Sequence, residues 1–311
     1  GQERVDLRPA FLEDRPHFGV VRLTAFKKPA ELVGKILRPL DRFEHEVVRD
    51  TIYRAISPRR RQGLHRQAMA ALEAARPEGL EALAHHAAAG GDRPRAARYY
   101  RQAGERAVAQ FANQQAVTYL SRALDYVAED QVEERYRLLL AREKAYDLLG
   151  EREAQQQDLV SLHQAAASLD AQFQARVALR RANYAEATSD FSAAVATAQE
   201  AAELARGAGD LLNEAAAHSQ WGMALRRQGD YAGAQAQIQQ ALALVRRADQ
   251  PQMEAAFLRQ LGIVHWYWGN MTTAADYYAQ SLEIARDIGD RWNEGRALNN
   301  LGTVAWAQGD L

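Results

Sequence analysis

Apolar residues from Arg59 onward return every three or four positions, the spacing that puts them on one face of an α-helix, so that stretch reads as helical almost throughout. The clearest single elements run from Leu80 to Ala89, stopped by Gly90-Gly91, from Pro94 to Phe111, and from Gln114 to Val127; the last two each carry an Ala/Tyr/Leu stripe to bury. Farther along, the pattern becomes a repeat. Trp221-Gly222, Leu261-Gly262 and Leu301-Gly302 recur at an interval of 40 residues. Gly229-Asp230, Gly269-Asn270 and Gly309-Asp310 follow them in the same register, and Glu214, Glu254 and Glu294 precede them at the helix starts. The unit is helix, Gly-polar turn, helix, loop. It predicts hairpins over 132–168, 172–207, 211–247 and 251–287, with a half repeat from 291.

Other positions keep the register: Ala234 with Ala274, Leu204 and Leu244 with Ile284, and Arg206, Arg246 and Arg286 at one place. Small residues are expected where the two helices of a hairpin cross, Gly222 facing Ala234 and Gly262 facing Ala274. The turn glycine supplies a backbone conformation that branched residues resist, and the Asp or Asn after it can cap the second helix.

Trp221, Gly222, Ala234 and Ala241, then Leu261, Gly262, Ala274 and Tyr278, then Leu301-Gly302, resemble the tetratricopeptide repeat, whose standard period is about 34 residues. The longer period here and the missing repeat-end proline fit long-repeat variants of that family. The resemblance implies an all-α fold, a right-handed superhelical solenoid of helical hairpins that works by binding.

Residues 1–40 differ in composition. Phe18 to Phe26 reads as a strand, and prolines stand at positions 9, 16, 29 and 39. The segment from Arg42 to Tyr53, followed by Ser57-Pro58-Arg59-Arg60 and Leu64-His65, resembles the end of the winged-helix region of STAND-type signal-transduction ATPases, including large LuxR-type regulators. Leu83 to His86 and Tyr99 to Ala107 continue the likeness. It implies a small mixed α/β winged-helix remnant over 1–60, a helical arm over 61–130, and a sensor solenoid over 131–311. Chain ends at Gly309-Asp310-Leu311 and within the first module are expected to continue in a parent protein, because a solenoid needs a capping element. In the resembled family a nucleotide-binding module lies upstream, and ADP or ATP would belong there. No phosphate-binding loop stands in this chain: Gly34-Lys35 has Pro29 and Ile36 where Gly and Ser or Thr are required.

The resemblance also singles out His45, which in such proteins reaches the ADP phosphate in the resting state. Against that stands packing or helix capping, the ordinary role of an isolated histidine. A metal role is expected nowhere. His45-Glu46 begins like a zinc-protease motif, but Arg49 replaces the second histidine; His85 and His86, adjacent on a helix, point about 100° apart. The run Arg59-Arg60-Arg61 lacks the aromatic and basic reinforcement of a nucleic-acid surface.

The chain has no cysteine, a formal net charge of -1, 47% hydrophobic and 25% charged residues, which excludes disulfides and thiolate chemistry and gives no overall pull toward nucleic acid or an anionic membrane. No apolar run approaches a membrane span, so a cytoplasmic, non-enzymatic binding role is expected. Neither a nucleophile elbow nor a paired-carboxylate pattern is present.

By the resemblance, the first helices of successive hairpins line a groove. Its residues would include Arg176, Asn183, Ser219, Met223, Arg226, Arg227, Arg259, Ile263, Trp266, Tyr267, Arg296, Asn299, Thr303 and Trp306. Such arginines, amides and aromatics suit an anionic or aromatic small molecule or an extended peptide. In the run His265 to Trp268 one or two aromatics must be exposed, and an exposed Trp266 would favour sensing over packing. Two functions follow: an autoinhibitory arm and sensor whose inducer releases an upstream nucleotide-binding module, or a constitutive scaffold for a partner protein or peptide.

Overall fold

The computed structural model describes residues 53–309. The chain divides into two compact units, residues 1–91 and 92–311. The expected strand, most of the winged-helix segment and His45 lie outside the described residues, within which every regular element is an α-helix and no strand occurs.

In the first unit, α1 (Pro58–Ala75) and α2 (Leu80–Ala89) pack as a hairpin. Met69, Ala71 and Leu72 of α1 and Leu83, Ala84 and Ala87 of α2 are buried. The Arg66 Nε donates to the Gly90 carbonyl at 2.8 Å, satisfying an acceptor that the end of α2 leaves open.

The second unit comprises α3 (Arg93–Ala109), α4 (Asn113–Tyr126), α5 (Val132–Leu149), α6 (Arg152–Ala166), α7 (Ala171–Ala187), α8 (Phe191–Gly207), α9 (Leu211–Gln228), α10 (Tyr231–Arg247), α11 (Pro251–Trp268), α12 (Met271–Asp287) and α13 (Arg291–Gln308). Each helix packs on the next, and the first helices α7, α9, α11 and α13 also pack in sequence on one another. That second set of contacts makes a row of first helices, the face that positions the candidate site.

Close approach within the hairpins has a steric cause. A Cβ on Gly222 would stand 2.6 Å from Ile238 Cγ1 and 2.8 Å from the Ala234 carbonyl oxygen, so α9 and α10 meet where the repeat places its two small residues. At Gly262 the neighbour is different from the expected Ala274. A Cβ there would lie 2.4 Å from Cε1 of Tyr278, because the phenol ring one turn farther along α12 fills the space opened by the glycine. Ile238, Leu242, Val245, Phe257, Leu258, Leu261 and Val264 form the apolar core that joins the α9–α10 and α11–α12 hairpins.

The turns close as the glycines require. Gly229 takes φ +85°, its N–H donates to the Arg226 carbonyl at 3.1 Å, and Asp230 then caps α10 by accepting from the Gly233 N–H at 2.8 Å. Asn270 departs from that pattern: it makes no capping bond, and its Nδ2 stands 3.4 Å from His265 Nδ1. Ser189 occupies the equivalent turn between α7 and α8 at φ +63°.

Successive hairpins are tied by a recurring ion pair. Arg206 reaches Glu214 at 2.8 Å, Arg246 reaches Glu254 at 2.7 Å, and Arg286 reaches Glu294 at 3.1 Å, each joining the end of a second helix to the start of the next first helix. Between α5, α6 and α7 the tie is a polar knot. Arg180 grips Glu143 at 2.7 Å and Asp147 at 2.9 Å, Gln155 donates to Glu143 at 2.7 Å, and Arg152 reaches Asp147 at 2.6 Å. Burial alone would raise the Asp147 carboxyl, but the hydrogen bonds from Arg152 and Arg180 outweigh it and hold the group below its usual range.

Candidate recognition face

The row of first helices carries two buried arginines whose Nε atoms have no hydrogen-bond partner. Arg259, in the middle of α11, is 7% exposed, and its Nε has no hydrogen-bond partner. Its guanidinium is pushed down to about 10, first by burial and then by the charge of Arg296 on α13; only the Tyr278 phenol acts the other way. Arg226, near the end of α9, is 9% exposed with an equally unpartnered Nε. Burial and then Arg227 lower it, and its guanidinium lies 4.8 Å from the Tyr267 ring centroid. Glu186 of α7 is the nearby carboxylate, and it is shared with Gln220 and with Arg227 at 3.9 Å.

Leaving an ionised group buried and unpaired costs several kcal/mol, and natural folds normally avoid it. The donors left over are therefore informative. Besides the two guanidinium nitrogens, Asn300 Nδ2 on α13 and His265 Nε2 on α11 are buried with no partner. The two arginines and the amide nitrogen are hydrogen-bond donors that lack an acceptor, while the imidazole nitrogen can serve in either sense.

The other expected groove residues separate into two groups. Ile263 and Trp266 are half-buried against the cluster of Ala274, Tyr278 and Val304, Met223 packs into the core, and the Ser219 hydroxyl donates to Gln260 at 2.6 Å, so these hold α9, α11, α12 and α13 together. Tyr267 at 57% and Trp306 at 72% are exposed, as are Arg176, Arg227, Arg296, Asn299 and Thr303; Asn183 is intermediate. Within the aromatic run the exposed members are Tyr267 and Trp268, not Trp266. Trp268 stacks on Tyr231 and on His265, with centroids 6.2 and 5.7 Å apart. A rotation of about 100° per residue around the helix decides which ring meets the core, and the packing against α12 sets that phase.

A cleft of ≈ 630 Å³ lies elsewhere, among α10, α11 and α12, lined by Gln239, Arg246, Asp276 and Tyr277 among others. None of the expected groove residues lines it, and its arginine is already engaged by Glu254. The unpaired donors of the first-helix face carry more chemical information than the larger volume.

In the first unit, α1 brings His65 against His85 and His86 of α2, a grouping that the spacing of the histidines did not reveal. Burial lowers His65, helped by His85 and Arg61, and burial together with His65 and His85 lowers His86 to about 4.

Among the described residues no helix is long and apolar enough to cross a membrane. The profile of the Tetratricopeptide repeat family matches residues 213–287 and 252–311. No curated protein sequence matches the chain. Among solved structures, the aspartyl phosphate phosphatase F of Bacillus subtilis aligns with a TM-score of 0.63 at 11% identity, covering 93% of this chain and 80% of that one. A Rap protein complexed with competence and sporulation factor aligns with a TM-score of 0.58 at 14% identity, covering 87% and 78%. A STAND protein with a tetratricopeptide repeat sensor from Pyrococcus horikoshii gives 0.53 at 15% identity over 85% of this chain, which spans 40% of that protein. At such identities the likeness concerns the fold, an array of helical hairpins, while the profile match places tetratricopeptide repeats within residues 213–311.

Proposed function

We propose that the first-helix face of α9, α11 and α13 is a recognition surface for an anionic ligand, and that the chain is the arm and sensor of a STAND-type ATPase. The observation that carries the reading is Arg259, a buried arginine whose Nε has no hydrogen-bond partner and whose charge is opposed by that of Arg296. A carboxylate or phosphate placed there would form charge-assisted hydrogen bonds and neutralise Arg259 and Arg296 together. Tyr267, exposed beneath Arg226, would add a stacking face for an aromatic or planar group.

In this reading the chain itself performs no catalysis and takes no cofactor. ADP and ATP belong to an upstream nucleotide-binding module of the cytoplasmic parent protein, which the arm and the unliganded solenoid keep closed. Occupancy of the groove releases that module only if the ligand binds the open state more tightly than the closed one. The solved STAND protein with a tetratricopeptide repeat sensor supports this assignment through its fold.

A second reading, a constitutive scaffold that holds an acidic segment of a partner protein, draws on the closer fold likeness to the Rap protein complexed with its factor. Both readings use the same arginines. Calorimetric titration of the chain with a panel of anionic metabolites and acidic peptides tests the shared site. Arg259→Leu should fold normally and bind the hit at least about tenfold more weakly, a loss of roughly 1.4 kcal/mol. Unchanged affinity would remove Arg259 from the site. Nucleotide exchange by the parent protein then separates the readings: a sensor accelerates ADP release when the hit is added, and a scaffold does not.

A further inference from the structure

We propose that His65, His85 and His86 form a binding site for a divalent transition-metal ion of the zinc class. One ring nitrogen from each histidine lies within 4.8 Å of the others. The ring centroids form a nearly even triangle, 5.6 Å from His65 to His85, 5.1 Å from His65 to His86, and 5.3 Å from His85 to His86. In a tetrahedral site with metal–nitrogen bonds of about 2.0–2.1 Å, ligand atoms stand about 3.4 Å apart, so modest ring rotations would close the triangle on an ion.

Adjacent helical positions do not chelate well by themselves, and the third ring removes that objection. His65 arrives from α1 and faces both α2 histidines, so His85 and His86 need only converge on it from either side. His65 is the anchored member: it is 9% exposed, and its Nε2 lies 2.9 Å from the Tyr53 hydroxyl. A bond on the far ring nitrogen is the usual means by which a ligating imidazole is held in orientation, and it leaves Nδ1 to point at the ion. His85 is exposed, which gives the ion and a fourth, water ligand a route in.

A purely structural role accounts for only part of the cluster. The Nδ1 atoms of His65 and His86 are 2.8 Å apart and can share one proton as a donor–acceptor pair. His85 makes no hydrogen bond among the described residues, yet its ring is turned edge-on to both partners. Metal ligation gives all three rings a common role, since each offers a nitrogen within 4.8 Å of the others. Arg61, whose guanidinium lies 5.1 Å from the Tyr53 ring centroid, opposes a cation and sets a limit on affinity.

The test is titration of the tag-free chain with Zn2+ by calorimetry and with Co2+ by visible absorption. The expected result is one saturable equivalent with the intense d–d bands of tetrahedral cobalt. Loss of an outer-shell partner lowers metal affinity about 10- to 100-fold, so Tyr53→Phe should weaken binding by about tenfold, and His85→Gln and His86→Gln, which each remove a ligand, by more than that range. Arg61→Gln should tighten it. His85→Gln decides the matter if His86→Gln fails to fold, since an exposed side chain is replaced. No saturable equivalent in the parent chain, or Co2+ binding unaltered by His85→Gln, overturns the proposal.

Discussion

The α5–α7 knot and the α9–α13 face both bury arginine, and they treat it in opposite ways. Arg180 is enclosed by Glu143 and Asp147, and Glu143, 0% exposed, also accepts from Gln155. Every strong group there has a counterpart. Arg259 and Arg226 are buried as deeply, each with another arginine lowering it and an Nε that has no hydrogen-bond partner. A buried charge that is internally satisfied serves the fold, while one left unsatisfied costs stability and is retained where something outside the fold completes it. That contrast is what supports the proposal of a ligand surface on the second region.

The sharpest way to break this contrast is to remove one member of each set. Glu143→Ala leaves Arg180 and Gln155 without their shared acceptor and should destabilise the chain by about 3–5 kcal/mol in chemical denaturation, whereas Arg259→Leu should leave the midpoint unchanged or raise it. Equal losses from both would make the two regions alike. Next in size is Gly262→Ala. Its Cβ would press on the Tyr278 ring beneath the face, and a cost of about 1–3 kcal/mol with weakened ligand binding is expected in melting and titration experiments.

Acid separates the regions more gently. Asp147 is held below its usual value of 3.8, so its contribution is complete above that value and is lost as pH falls through the lower folded value. Hydrogen exchange followed down the acid limb should show α5–α7 opening before α9–α12; simultaneous opening would deny the knot its role. The smallest effect belongs to the ladder shared by neighbouring hairpins. Arg246 is half-exposed where it meets Glu254, so Arg246→Ala should cost about 0.2–1 kcal/mol at low ionic strength and nothing measurable in high salt.

Much of this architecture was readable in advance because its causes are local. Gly229 and Gly269 announce left-handed turns, Asp230 announces a cap, and the spacing of Gly222 from Ala234 announces a close crossing. The recurrence of Arg206, Arg246 and Arg286 and of Glu214, Glu254 and Glu294 was visible as two separate series. Their union into a ladder was not, since the partners belong to different helices and meet only when the loop between hairpins has turned. Trp266 and Tyr267 illustrate the same limit at finer scale: both fit a groove, and only the packing of α11 on α12 assigned one inward and the other outward.

The sequence by itself determined the helical hairpin, its length, its turns and its repetition, because backbone preference and apolar period act between residues close along the chain. Tertiary structure alone decided which arginines are paired, which aromatics are exposed, and that His65 joins His85 and His86. Those outcomes depend on the crossing of helices many residues apart, where a rotation of one residue exchanges a buried face for an open one.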